Sequence, residues 1–314
     1  WRPYLEEARS AFLEGRLVLW LGAGVSMPYG LPNWNDLVLS LLLRESTSAR
    51  IGERNQGTPW HQYYPHYRRA LGEWMMEHFR FDPVKLARVF EERKDLLNLL
   101  RRELYASLNN AGASRTSLDA VVSMIEAARD VGKMPPAVLT LNFDDLLEQK
   151  LRAQKIAHTA VFSDSCSVSG LPIYHVHGYL PASGEIPTHD VVFTEGKYHQ
   201  ISCSDFHWSV KTILRHLHTH QILFVGVSMS DPNLRRFLDT SKLPNEKPRH
   251  FVLREDYWIA PNSLKATIAS IEEKAEKARI KLARPEAKTP IQLEKAVKDM
   301  CKKAHDYDKE TMRS

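Results

Sequence analysis

A chain of 314 residues, 43% of them hydrophobic, can bury a full-sized core, and its three cysteines, Cys166, Cys203 and Cys301, are too few and too scattered for a disulfide framework or a four-thiolate zinc site. No apolar run nears the roughly 20 residues that cross a bilayer and no signal-peptide pattern opens the chain, so no membrane role and a cytoplasmic location are the expectations. The formal charge of +5 sits mostly at one end, since residues 261–314 hold 13 Lys/Arg against 9 Asp/Glu; the near-neutral remainder lacks the footprint of a duplex binder, and nucleic acid is expected only through a partner or that tail.

In chain order, residues 3–15 read as a short amphipathic helix, 17–22 as a buried strand and 34–45 as the next helix. Between the last two lies Leu17-Val18-Leu19-Trp20-Leu21-Gly22-Ala23-Gly24-Val25-Ser26, a strand running into a small-residue turn. Gly22 and Gly24 let backbone amides approach a pyrophosphate, and a helix N-terminus adds partial positive charge, which makes a nucleotide such as NAD the expected ligand. Ala23 completes the turn, and the Ser26 hydroxyl is placed to bind a phosphate oxygen or to cap a helix. The fingerprint G-x-G-x-x-G is half met, its third glycine displaced to Gly30. Residues 46–130 read as helical, with 46–115 a helical insertion forming a lid or subdomain; the aromatic run Trp60 to Tyr67 within it reads as core packing or as a stacking surface. Strand 137–141 and helix 144–154 follow, the helix carrying Asp144 and Asp145 in its first turn. Apolar runs at 158–162, 173–177, 190–194, 222–227 and 250–254 extend the sheet, with a helix at 205–219. Charged helices at 264–283 and 290–307, parted by Arg284-Pro285, close the chain. The alternation predicts an α/β fold, a Rossmann-like doubly wound parallel sheet with a helical insertion subdomain, as one domain over 1–260 and a packing or connecting segment over 261–314.

Asn142 and His177 fall at or just beyond the carboxyl ends of predicted strands, where open α/β sheets bind ligands. Taken alone, Asn142 reads as a turn-former or helix N-cap and His177 as one buried histidine among 14. His175 and His177, two residues apart on one strand, would share a face; no third ligand completes a metal pair, and no metal is expected. Gly226-Val227-Ser228 forms a second turn, and Asp231 reads as an N-cap or a ribose acceptor. His216, His218 and His220 read as charge compensation at a helix C-terminus.

The turn at 22–26, Tyr29-Gly30-Leu31-Pro32-Asn33-Trp34, Thr140-Leu141-Asn142-Phe143-Asp144, His177-Gly178 and Gly226-Val227-Ser228 come in an order that resembles the sirtuin-like superfamily, over about residues 5–256. More narrowly the chain resembles the sirtuin-like NAD hydrolases of prokaryotic antiphage defence. The resemblance implies NAD as substrate, with Asn142 holding the ribose and the attacking water, His177 acting on ribose hydroxyls or water, Asp144 facing the nicotinamide carboxamide, and Gly226 and Ser228 at the adenine ribose or phosphates. It also implies abortive infection by NAD depletion, controlled through a homo-oligomer or a partner or fused module. Two departures from the protein-deacylating pattern favour water as acceptor: no C-x-x-C pair occurs, and Asn33-Trp34-Asn35 stands where Asp-Phe-Arg is usual. An ADP-ribosyl transferase or cyclase, and a non-catalytic NAD or ADP-ribose sensing module, are the alternatives. Whether the natural chain is longer stays open, since the sequence begins at Trp1.

Overall fold

Leu17–Leu21 (β1) is five apolar residues with no polar interruption, which suits a strand covered on both faces. In the computed structural model Leu17, Leu19 and Leu21 are buried on one face and Val18 and Trp20 on the other. The structure describes residues 2–48, 87–108, 116–202, 207–229, 231–241 and 250–253. Nearly all of these belong to one compact unit, Trp1–Leu43 with Gly57–Arg254; of the second, Arg44–Gln56 with Glu255–Ser314, only 44–48 are among them. Most of the expected 46–115 insertion, the aromatic run 60–67 and the helices at 264–283 and 290–307 lie outside the described residues.

Five further strands, Val138–Thr140 (β2), His158–Val161 (β3), Leu171–His175 (β4), Gln221–Val225 (β5) and Phe251–Leu253 (β6), join β1 in one sheet of order β3-β4-β2-β1-β5-β6. Every pairing is parallel. Helices Arg2–Leu13 (α1), Trp34–Ser48 (α2), Leu96–Leu104 (α3), Ser117–Asp130 (α4), Leu146–Ala153 (α5), Glu195–Ser202 (α6), Trp208–Thr219 (α7) and Pro232–Thr240 (α8) flank it. The result is the Rossmann-like α/β fold. Val18, Trp20, Leu139, Ile222 and Phe224 share a core cluster with Val210, Ile213 and Leu217 of α7 and Phe237 of α8. Trp20 sits in register with Phe224, ring centroids 5.3 Å apart. Among the described residues no helix is long and apolar enough to cross a membrane.

β1 has β2 on one side and β5 on the other, so the strand order reverses direction there. Loops leaving the carboxyl ends of neighbouring strands diverge at such a point and open a crevice. The loops in question begin at Gly22, Leu141 and Gly226.

Three expectations need correction. Residues 190–194 form no strand. Val192 and Phe193 are buried in irregular chain, Val192 N–H donates to the His177 carbonyl at 2.7 Å, and α6 begins at once, with the Thr194 hydroxyl accepting from Lys197 N–H. β4 ends at His175, two residues early, which removes the shared face expected for His175 and His177. His216 and His220 stack on each other at 5.5 Å, and burial holds both below the ordinary histidine range, which works against charge compensation at the helix end.

Candidate functional site

The first turn is built by interlocking with the last. Gly22 N–H donates to Val225 O at 3.0 Å and Gly24 N–H to Gly226 O at 2.9 Å. A Cβ on Gly22 would lie 2.5 Å from Gly226 O, and one on Gly24 would lie 2.8 Å from Gly226 Cα. Gly226 itself has φ +67 and offers no room on its other side, a Cβ there meeting Val25 N at 2.7 Å. These glycines therefore let one loop backbone seat against another, and the Gly24 amide is committed to that contact.

Asn142 enters from β2. Its N–H donates to Thr140 Oγ1 at 3.0 Å, and Thr140 Oγ1 donates to Leu21 O at 3.1 Å, which ties the two strand ends together. Its side-chain amide donates to Gly22 O at 3.1 Å and to Ser26 Oγ at 3.2 Å. Asn142 thus reaches across to the glycine turn and caps no helix. The buried Ser26 hydroxyl accepts that bond and donates to Asp144 Oδ2 at 2.9 Å, so it makes no helix cap either. The other Asp144 oxygen accepts from Leu146 N–H at 3.2 Å at the start of α5. With both oxygens turned inward, Asp144 fastens the Ser26 turn to α5. Burial pushes its carboxyl up to about 6, further than the Ser26 and Leu146 hydrogen bonds pull it down.

Behind Asn142 lie two groups that the sequence reading did not single out together. His175 Nδ1 is 3.0 Å from the Asn142 carbonyl and its Nε2 is 2.6 Å from Glu148 Oε1. Ser26, Thr140, Asn142, Asp144, Glu148 and His175 help line a small cavity of about 10 Å³, room for roughly one water. Glu148 carries a sequence signal, since it sits in the buried stripe of α5 with Leu147 and Leu151. Asp145, expected to be an ordinary first-turn acid, is 5% exposed; its Oδ1 accepts from Gln149 Nε2, Ala182 N–H and the Tyr105 hydroxyl.

His177 lies past the end of β4, away from this cluster's hydrogen bonds. Its ring stands edge-on to Tyr198 of α6, centroids 5.6 Å apart, and the Tyr198 hydroxyl donates to Asp231 Oδ1. Asp231 also caps α8, accepting from Leu234 N–H at 3.2 Å, as the N-cap reading expected. Burial pushes His177 down to about 4 against the opposing pull of the Asp231 carboxylate, so the ring is neutral at pH 7. Ser228 is exposed at the rim, beyond Gly226. Gly22, Ala23, Gly24, Ser26, Asn142, Asp144 and Gly226 are thus assembled in one place, while His177 and Ser228 occupy separate positions on the same carboxyl edge of the sheet. Among the described residues no group of three or more His, Cys, Asp or Glu is arranged to hold a metal ion.

No curated protein matches the chain. The family model of the SIR2-like domain matches residues 136–282, the stretch that carries Asn142, Asp144, His175, His177 and the Gly226 turn. SIR2-like domains are typically NAD-dependent enzymes, and NAD-related activity is the general reading that follows. Over those residues the match supports a relation to the sirtuin-like superfamily.

Proposed function

We propose that the protein is an NAD glycohydrolase that cleaves NAD+ to nicotinamide and ADP-ribose with water as acceptor. The observation that carries this reading is Asn142, whose amide is held at a β-strand end by Gly22 O and Ser26 Oγ in the crevice where the strand order reverses. In the reaction the bond between the ribose C1′ and the pyridinium nitrogen breaks, and its electron pair leaves with nicotinamide. The departing ring becomes neutral, so no acid is needed to assist it. A water oxygen then bonds to C1′ and releases a proton. That proton is acidic because the oxygen is bonded to a cation-like carbon, so a neutral His177, though weakly basic at about 4, can accept it. Positioned donors around the ribose supply the remaining stabilisation of developing charge.

Asn33 stands where the deacylating pattern has Asp. Its side chain accepts from Asp36 N–H at 3.0 Å and is spent on capping α2, while Trp34 packs on Phe193 and Phe143. In this reading the enzyme acts in antiphage defence by depleting cytoplasmic NAD, under control of a homo-oligomer or of a partner or fused module.

The test is NAD consumption with chromatographic identification of products, on the full chain over a range of protein concentrations, for the unaltered protein, Asn142→Ala and His177→Ala. Nicotinamide and ADP-ribose are expected, with a loss of about 100-fold or more in each variant. Cyclic ADP-ribose or ADP-ribosylated protein would replace this reading with a cyclase or transferase. Tight NAD or ADP-ribose binding without turnover at any concentration would replace it with a sensing module.

A further inference from the structure

Glu148 and His175 have no part in the reaction as written, yet they form the most deeply buried polar pair beside it, 2% and 1% exposed. A carbonyl oxygen only accepts hydrogen bonds, so His175 Nδ1 must donate to Asn142 O. A carboxylate also only accepts, so a further proton lies in the 2.6 Å contact between Nε2 and Glu148 Oε1. Burial works against charge on the ring, and the Glu148 carboxylate, the Asn142 carbonyl and Asp144 together outweigh it, holding His175 above the ordinary histidine range. A buried pair of this kind generally adds little stability over apolar side chains of equal volume. Position offers a better account of it.

The two peptide groups that flank the Asn142 Cα are each pinned, the N–H by Thr140 Oγ1 and the C=O by His175 Nδ1, both at 3.0 Å. Fixing both ends fixes φ and ψ of that residue, and with them the direction in which its side chain leaves the backbone. The ring is itself held from two sides, by Glu148 and by Tyr179, whose ring meets it edge-on at 4.7 Å. Glu148 Oε2 has no hydrogen-bond partner among the described residues and its residue lines the water-sized cavity shared with Asn142 and Ser26.

We propose that Glu148 and His175 are positioning residues for Asn142: the carboxylate orients the imidazole, the imidazole holds the Asn142 carbonyl, and the side-chain amide is thereby kept on Gly22 O and Ser26 Oγ at the crevice. This rests on the role given to Asn142 in the reaction above.

The test uses the full chain with His175→Leu, the double variant His175→Leu/Glu148→Leu, and Glu148→Gln. Three quantities are read: stability in urea, kcat and KM for NAD, and hydrogen exchange of the Asn142 side-chain amide by NMR without ligand. His175→Leu strands a buried carboxylate and is expected to be strongly destabilised. The double variant replaces both partners by apolar groups and should regain stability. Its kcat is nevertheless expected to stay about 10- to 100-fold down, with KM within about threefold, and the amide to exchange about tenfold faster. In Glu148→Gln the new amide can donate to Nε2 while Nδ1 keeps the Asn142 bond, so kcat should fall by less than about threefold. A stable double variant with unaltered kcat and unaltered amide exchange would overturn the proposal. Absence of NAD turnover in the unaltered protein would overturn the hydrolase reading alone, and amide exchange would then decide the positioning role by itself.

Discussion

Gly226→Ala isolates the contact between the two glycine turns, because Gly132 provides a matched control. Both residues have φ +67, but a Cβ on Gly132 meets nothing within 4 Å, whereas one on Gly226 lies 2.7 Å from Val25 N and 2.9 Å from Gly24 C. An alanine in the left-handed region costs roughly 1–2 kcal/mol at either site. At Gly226 the colliding atoms are backbone, which cannot rotate aside, and forced expansion of a packed site adds about 1–3 kcal/mol. Gly132→Ala should therefore lower stability by about 1–2 kcal/mol and Gly226→Ala by about 2–5 kcal/mol. Urea unfolding followed by circular dichroism reads both, and the difference between the two variants is the cost of separating the loops. Equal losses in the two variants would refute the interlocked arrangement, since the shared φ would then account for everything.

Asp144 makes stability depend on pH in a direction opposite to that of most carboxylates. Its folded pKa of about 6 is raised above an unfolded value of about 3.9, so its contribution is fully present below about pH 4 and is lost as pH rises through about 6. Asp144→Asn, which stays neutral, should accordingly gain about 2–3 kcal/mol relative to the unaltered protein between pH 4 and pH 7.5; urea midpoints that move in parallel for the two proteins would contradict this. Thr116→Ala removes the hydroxyl half of the capping box of α4, in which Thr116 Oγ1 accepts from Asp119 N–H while Thr116 N–H, kept in the variant, donates to Asp119 Oδ2, and it also removes the 2.8 Å contact with the Tyr29 hydroxyl. A loss of about 1–2 kcal/mol in thermal or urea unfolding is expected, and a change inside the error of the measurement would show that the hydroxyl contributes nothing.

The sheet was readable because its central strands are continuous apolar runs, the pattern of strands covered on both faces. Residues 190–194 have the same signature and are not a strand. Val192 and Phe193 bury as side chains on irregular backbone, and hydrophobicity alone cannot tell these two ways of filling a core apart. Helix α6 was unreadable for the opposite reason: Glu-Gly-Lys-Tyr-His-Gln-Ile-Ser has no apolar stripe, and its start is set by Thr194. At the site, the glycine turns and Asn142 could be found because each is a local pattern beside a strand. The bond from Ser26 to Asp144 could not, since 118 residues separate its partners. Nor could the different surroundings of His175 and His177, which follow from where β4 stops rather than from their spacing.

Tyr105 follows α3, in the long segment between β1 and β2, and its hydroxyl lies 2.9 Å from Asp145 Oδ1 and 2.8 Å from Leu180 O while accepting from Asp145 N–H. Asp145 is three residues after Asn142, and Leu180 is three residues after His177. Leu180 N–H also donates directly to Phe143 O at 2.7 Å. One phenol therefore works as a caliper on the two loops that would have to cooperate in turnover. The two loops are thus tied both directly, through Leu180 N–H and Ala182 N–H, and through a phenol contributed from outside both, so their spacing is fixed by bonds that do not depend on any strand of the sheet.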